Sequence, residues 1–208
     1  MTIDQEGSRR VGDRVEALLA ELARRGAPGL VRPFERTVGD EVQAVLDDPA
    51  VAVTIALDVL ASGGWTVGLG AGPVDLPLPP TSRAGSGAAF VHAREAVEAA
   101  KRRHRPTAVP VAVRGDRSDL AQEAEAVLVL LGAIAARRSR AGREVVDLLR
   151  SVEPAPSQQT LAAELGISQQ AVSDRLGRAL WVEEVAARPA AARLLRLAAG
   201  PQDEGERG

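Results

Sequence analysis

The sequence predicts an α+β fold: a split β-α-β-β-α-β, ferredoxin-like first half followed by an all-α second half. Three observations carry this. Up to about residue 115, β-branched runs alternate with amphipathic stretches in the order strand, helix, strand, strand, helix, strand, followed by a further loop, helix and strand. Beyond that point apolar residues recur only at helical spacing. Proline and glycine clusters such as residues 26–29, 62–64 and 73–87 separate these stretches.

Taken in order, Thr2, Ile3 and Asp4 form a short first strand that Gly7 and Ser8 break. Residues 11–25 place Val11, Val15, Leu18, Leu19 and Leu22 on one helical face. Residues 30–38 read as a strand, with Pro33 at its start or on a sheet edge because proline cannot donate to a ladder. Gly39 and Asp40 supply a hairpin turn, and a return strand reaches Val45. Asp48 followed by Pro49 starts a helix that runs to about Leu60. Residues 65–72 form a glycine-spotted strand, which implies that something packs close to its backbone. After the Pro/Gly/Ser loop 73–87 come a helix over 88–103 with a basic end and an edge strand over 107–114 containing Pro110. Helices then follow over 119–138, 142–152, 158–165 and 169–185, and Pro154 and Pro156 punctuate them. The tail beyond Gly200 is polar and expected to be disordered.

Composition narrows the function classes. Hydrophobic residues make up 45% and charged residues 26% of 208, as in soluble globular chains. Aromatic residues are only 2%, so the core must rest on Ala, Val and Leu, and base-stacking surfaces for single strands are disfavoured. The absence of cysteine excludes a disulfide framework and a thiolate nucleophile. With only His92 and His104, a histidine triad is close to excluded. No run is long enough to span a bilayer and the start lacks a signal-peptide core, so a cytoplasmic protein is expected. A net charge of −2 requires any nucleic-acid site to be a local patch. Trp65 and Trp181 read as core anchors.

The clearest motif lies in residues 157–180. Leu161, Ala162 and Leu165 form an inner face, Gly166 supplies a left-handed turn, Ile167 plugs the core, and Ser168 caps a second helix buried through Val172, Leu176 and Leu180. Gln169, Gln170, Ser173, Asp174, Arg175 and Arg178 are left outward, with Ser157 and Thr160 at the first helix start. Gln can read adenine, and Arg can take guanine or phosphate. This spacing resembles the helix-turn-helix of bacterial regulators, which implies double-stranded DNA as partner. Arg137, Arg138 and Arg140 are candidate phosphate contacts. The excess of arginine over acid across 137–180 is modest, so a homodimer or partner is expected to supply affinity.

The hairpin tip, Gly39-Asp40-Glu41, is either a hydrophilic turn or a divalent-cation site. Asp4, on a neighbouring strand in the proposed fold, could approach Asp40 there. Residues 36–45, Val67-Gly-Leu-Gly-Ala-Gly-Pro-Val74 and Gly87-Ala-Ala-Phe-Val-His-Ala-Arg-Glu-Ala96 resemble the SatD family, over residues 2 to about 115. That family in turn resembles the catalytic palm of class III nucleotidyl cyclases. The resemblance implies Asp4 and Asp40 at metal positions, with Glu41 beside them, and Mg2+ or a nucleotide as ligand. Three departures bear on this. The position four before Arg94 is Phe90 and not Asn, the lysine opening the hairpin motif is Arg36, and the strand before Asp4 is short. Ser82 and Arg83, in the loop before a helix, could contact phosphate.

The expected organisation is a palm-like domain over 1–117, a connecting helix over 118–140, a helix-turn-helix domain over 141–199 and a tail over 200–208. The expected function is a non-enzymatic DNA-binding transcriptional regulator whose degenerate palm senses a ligand or dimerises. The alternatives are a metal-dependent nucleotide-binding or cyclase-like enzyme, and a protein-interaction adaptor.

Overall fold

The computed structural model describes residues 1–26, 28–102, 109–151 and 155–201. Arg103, His104, the expected strand start at Thr107, the boundary at Val152 and Pro154, and residues 202–208 of the tail lie outside the described residues. The fold is mixed α+β, with a five-stranded sheet and, among the described residues, nine α-helices.

Strand β1 (Thr2–Gln5) is central. It pairs antiparallel with β3 (Glu41–Leu46) on one side and with β4 (Trp65–Ala71) on the other. Strand β2 (Leu30–Arg36) forms one edge against β3, and β5 (Val111–Gly115) forms the other, parallel to β4. The order is therefore β2-β3-β1-β4-β5. Both expected edge prolines fit this order. Pro33 lies inside the edge strand β2, where the register shifts between Arg32 and Glu35. Pro110 directly precedes β5 and accepts from the Val67 N–H.

The strand β1 is not frayed, although it is short. Ile3 has no solvent exposure, and Asp4 stands opposite both Glu41 and Thr66. The expected helix over 11–25 is divided. A single turn, α1 (Ser8–Val11), ends at Gly12, whose φ of 81° takes the chain out of helical geometry. Helix α2 (Val15–Arg25) begins after the Gln5 side chain has bonded Gly12 O and the Arg14 N–H. Val11 therefore leaves the predicted face and is exposed.

Helix α3 (Pro49–Ser62) starts as expected, with Asp48 accepting from the Ala50 and Val51 N–H groups and Pro49 in the first turn. Helix α4 (Ala88–Lys101) covers one sheet face. It lies so close to β4 that a Cβ on Gly68 would meet Val97 N at 2.4 Å, and one on Gly70 would meet Ala89 O at 2.2 Å. The expected reason for those glycines is thus met. The other face carries the main core, built from β1, β3, β4 and β5 with α3, α5 (Ser118–Arg137) and others. Its aliphatic character follows from the lack of aromatics. Trp65 alone represents them among the fully packed members, and Arg14 sits 5.2 Å above its ring.

Helices α6 (Arg140–Arg150), α7 (Gln158–Leu165) and α8 (Gln169–Arg178) share a second, smaller core through Val145, Val146, Leu161, Val172 and Leu176. The expected helix over 169–185 is corrected here. Helix α8 ends at Arg178, Leu180 takes a left-handed conformation with φ 51°, and a new helix α9 (Trp181–Ala198) begins. Helix α9 leaves the small core. Its Ala191, Leu195 and Ala198 are buried with α3, α5 and the sheet. The described chain thus returns to the body from which it departed.

Candidate functional site

The hairpin forms as the sequence implies. Thr37 N–H donates to Glu41 O, Glu41 N–H donates to Val38 O, and Gly39 takes φ 64° at the tip. The Asp40 carbonyl accepts from the Gln5 N–H, which ties the tip to the end of β1. Asp4, Asp40 and Glu41 are therefore brought together, close enough that the acids at 40 and 41 push the Asp4 pKa upward. Burial is the larger cause of that rise.

The expected metal site is nevertheless corrected by what fills it. Lys101, in the last turn of α4, places Nζ 2.9 Å from Asp4 Oδ1 and 2.9 Å from Glu98 Oε1. Glu41 accepts from the Thr37 hydroxyl at 2.6 Å. Among the described residues no group of three acids or histidines has metal-holding geometry. A hard divalent ion needs several free oxygens, and here a lysine ammonium already neutralises the innermost carboxylate. The residues present do not fit Mg2+. Arg36 is likewise engaged, by Asp13 and Glu16 at the start of α2. Burial works to lower the Lys101 pKa, but the hydrogen bonds its ammonium donates to Glu98 and Asp4 hold it above the ordinary lysine value.

Ser82 is also corrected as a phosphate contact. It is fully buried, its N–H and hydroxyl reach the Glu35 carboxylate, and its hydroxyl lies 2.8 Å from Gln43 O. The loop is stapled to the hairpin strands further by Arg32, which donates to Pro79 O and Leu78 O. Arg83 stays exposed beside it. His92 packs against β4, with Nδ1 2.9 Å from Ala71 O and Nε2 3.8 Å from Asp116 Oδ1.

The second constellation is the α7–α8 pair. Ser157 accepts from the Thr160 N–H, and Ser168 accepts from the Ala171 N–H, so both helices are capped by serine as the motif requires. Gly166 takes φ 63° and ψ 32°, and the Ile167 N–H closes the turn on Ala162 O. The result buries Val172 and Leu176 and exposes Gln169, Gln170, Ser173, Asp174 and Arg178, with Ser157 and Thr160 exposed at the start of α7. Arg175 is half-buried and paired with Glu144 of α6 at 3.3 Å. Gln170 bonds Asp174 one turn on, at 3.0 Å.

The arginines at the end of α5 divide. Arg137 and Arg140 are exposed. Arg138 is buried and is corrected as a phosphate contact: it pairs with Glu184, its Nε donates to Ala179 O at 2.9 Å, and its guanidinium lies 5.8 Å from the Trp181 ring centre. Glu184 also accepts from Arg188, one turn further along α9. Arg150 pairs with Asp58 of α3, linking the small core to the body. Sequence reasoning missed this knot. The spacing of Glu184 and Arg188 by four residues was its one visible signal; the pairing to Arg138 is non-local.

The described residues contain no helix long and apolar enough to cross a membrane. No curated protein and no solved structure matches the chain significantly. The model of the SatD family matches residues 4–195. The match runs well past residue 115 and takes in α6 to α8 and most of α9. With the match extending over most of its length, the chain belongs to the SatD family.

Proposed function

We propose that this protein is a DNA-binding transcriptional regulator. In this reading α7 and α8 act as a helix-turn-helix, and the α+β body serves as a framework that senses a ligand or dimerises. The observation that carries it is the polar face of α8. Gln169, Gln170, Ser173 and Arg178 stand exposed together on a helix whose opposite face is locked by Val172 and Leu176. Such a helix start, with two glutamines and a later arginine, suits base edges and phosphate in a major groove. The capped, left-handed turn at Gly166 supports the same reading. The strand order β2-β3-β1-β4 with antiparallel pairs to β1 supports regarding the sheet as ferredoxin-like and palm-like, with β5 added.

A homodimer belongs to the proposal. Arg138, Arg150 and Arg175 are taken up by acids, so few cations near α8 are left for phosphate. Phosphate neutralisation dominates affinity, and two copies would double it. Selection from a random duplex pool, at low and physiological salt, tests the reading. A recovered site whose binding falls with salt and is abolished by Gln170→Ala with Arg178→Ala supports it. No enrichment at low salt, with or without nucleotide, overturns it.

One observation favours an interaction adaptor as second reading. Leu180, Val182 and Val185 are exposed where α9 begins, beside α8. A stable protein complex lost on Val182→Asp, with no enriched duplex, would favour that reading over the first.

A further inference from the structure

Helix α9 has an outer face that its packing on the body leaves open. The inner face, with Glu184, Ala191, Leu195 and Ala198, is buried. Among the described residues ten large apolar side chains stand exposed, and four of them belong to α9 or its cap: Leu180, Val182, Val185 and Leu197. Val182, Ala186, Ala190, Arg193 and Leu197 recur at intervals of four and three, so they share the outer face. All five are exposed. A helix face open at Val182 and again at Leu197 gains by being covered, in proportion to the apolar area withdrawn from water.

Charge along this face indicates what covers it. Glu183 precedes Ala186 by three residues, and Arg193 follows Ala190 by three. Both are exposed, and neither has an ion-pair partner among the described residues. Turning the helix end for end about residue 188 exchanges the two positions. A second copy laid antiparallel on the first therefore brings each Glu183 to the other copy's Arg193, with Ala186 against Ala190 at the centre. Leu197 then meets the end that holds Leu180 and Val182. This is the self-complementarity that a two-fold interface requires. A parallel pair would instead set Glu183 on Glu183 and Arg193 on Arg193. A lipid surface prefers a helix whose polar residues are basic, and Glu183 opposes that. Arg196, the other exposed charge near the end of α9, lies to one side of the face.

We propose that the outer face of α9 docks a second copy of this chain, antiparallel and two-fold symmetric. Helix α8 joins α9 at its N-terminal end, so the pair carries its two α8 helices at opposite ends. The inference gives the homodimer of the DNA-binding reading its contact surface, and it holds whether or not α8 meets DNA. One pair of 18-residue helices falls at the small end of specific interfaces, so the dimer is expected to dissociate on dilution.

Sedimentation velocity of the full chain without DNA, from micromolar to submillimolar concentration, tests this. The unaltered chain is expected to pass from monomer to dimer. Glu183→Arg and Arg193→Glu each set like charges together, and each should weaken the dimer about tenfold. An equimolar mixture of the two single variants should recover it, because in the mixed pair both contacts again join opposite charges. The mixture holds the same chains as its components, so recovery is not an effect of folding. A monomer at every concentration, a dimer indifferent to both substitutions, or a mixture that associates no more tightly than its components overturns the proposal. With no DNA present, such a failure is separate from a failure of the DNA-binding reading.

Discussion

Glu184→Gln is the most informative single perturbation of this fold. The side chain is 1% exposed and lies between Arg138, itself 3% exposed, and Arg188. Glutamine keeps the shape and removes the charge, which leaves the Arg138 guanidinium inside the protein without its counter-ion. Removing one partner of a buried pair costs on the order of 3–5 kcal/mol. The lower end applies here, about 3 kcal/mol, because Arg188 retains solvent contact and Arg138 keeps its bond to Ala179 O and its place over Trp181. For a chain of this size that corresponds to a fall in Tm of roughly 6–12 °C. Urea unfolding followed by fluorescence, in a Trp65→Phe background so that Trp181 alone reports, measures it. The double variant Arg138→Met with Glu184→Leu removes both charges, and its loss is expected to be well below the sum of the single losses. A Glu184→Gln loss within ~0.5 kcal/mol, the range of an ordinary surface change, or additive single and double variants, would refute the reasoning that this knot joins the small core to the body.

Other expectations follow from local geometry. Gly70→Ala forces α4 off the sheet, because the new Cβ would meet backbone at 2.2 Å, and is expected to cost about 3 kcal/mol or more. Gly177→Ala, in open space on α8, is expected to add about 0.5–1 kcal/mol in the same urea assay. Leu180→Gly relieves a left-handed leucine that is half out of the core, with an expected gain of up to about 1 kcal/mol; a loss above that would show that the side chain's packing dominates. Lys101→Met deprives Asp4 of its counter-ion. Burial already raises the Asp4 pKa, so ionised Asp4 is stabilised chiefly by Lys101. The variant should lose about 1–2 kcal/mol at pH 7, discounted for the solvent contact of Lys101, and the difference should close as the pH falls through the Asp4 pKa. Above the Asp4 pKa and below the ordinary lysine value of 10.5 the Lys101 contribution is complete, and it is lost as the pH rises through its higher folded value. Paired unfolding curves at pH 3.5, 7 and 10 check the sign.

Locally encoded features were legible in the chain. The Asp48-Pro49 start, the Gly39 hairpin tip, the Ser157 and Ser168 caps and the Gly166 turn each depend on a few adjacent residues, and all stand where the sequence placed them. The glycines of β4 were legible as a close approach, although not what approached. The reading failed where a single Gly12 or Leu180 conformation broke a continuous apolar pattern, because periodicity carries no information about one residue's backbone angle. It failed again for side chains whose partners lie far along the chain. Ser82 and Arg138 looked like exposed phosphate contacts because nothing nearby predicts Glu35, 47 residues away, or Glu184, 46 residues away.

The sequence by itself determined the α+β class, the alternation of elements, the aliphatic core and the capped pair of helices. These follow from periodicity, turn chemistry and composition, which are properties of short windows. Only the tertiary structure decided that β1 is central, that Lys101 meets Asp4, and that α9 returns to the body. Each of those rests on contacts between residues distant in the chain, where the charge, space and backbone groups that decide the outcome come together only on folding.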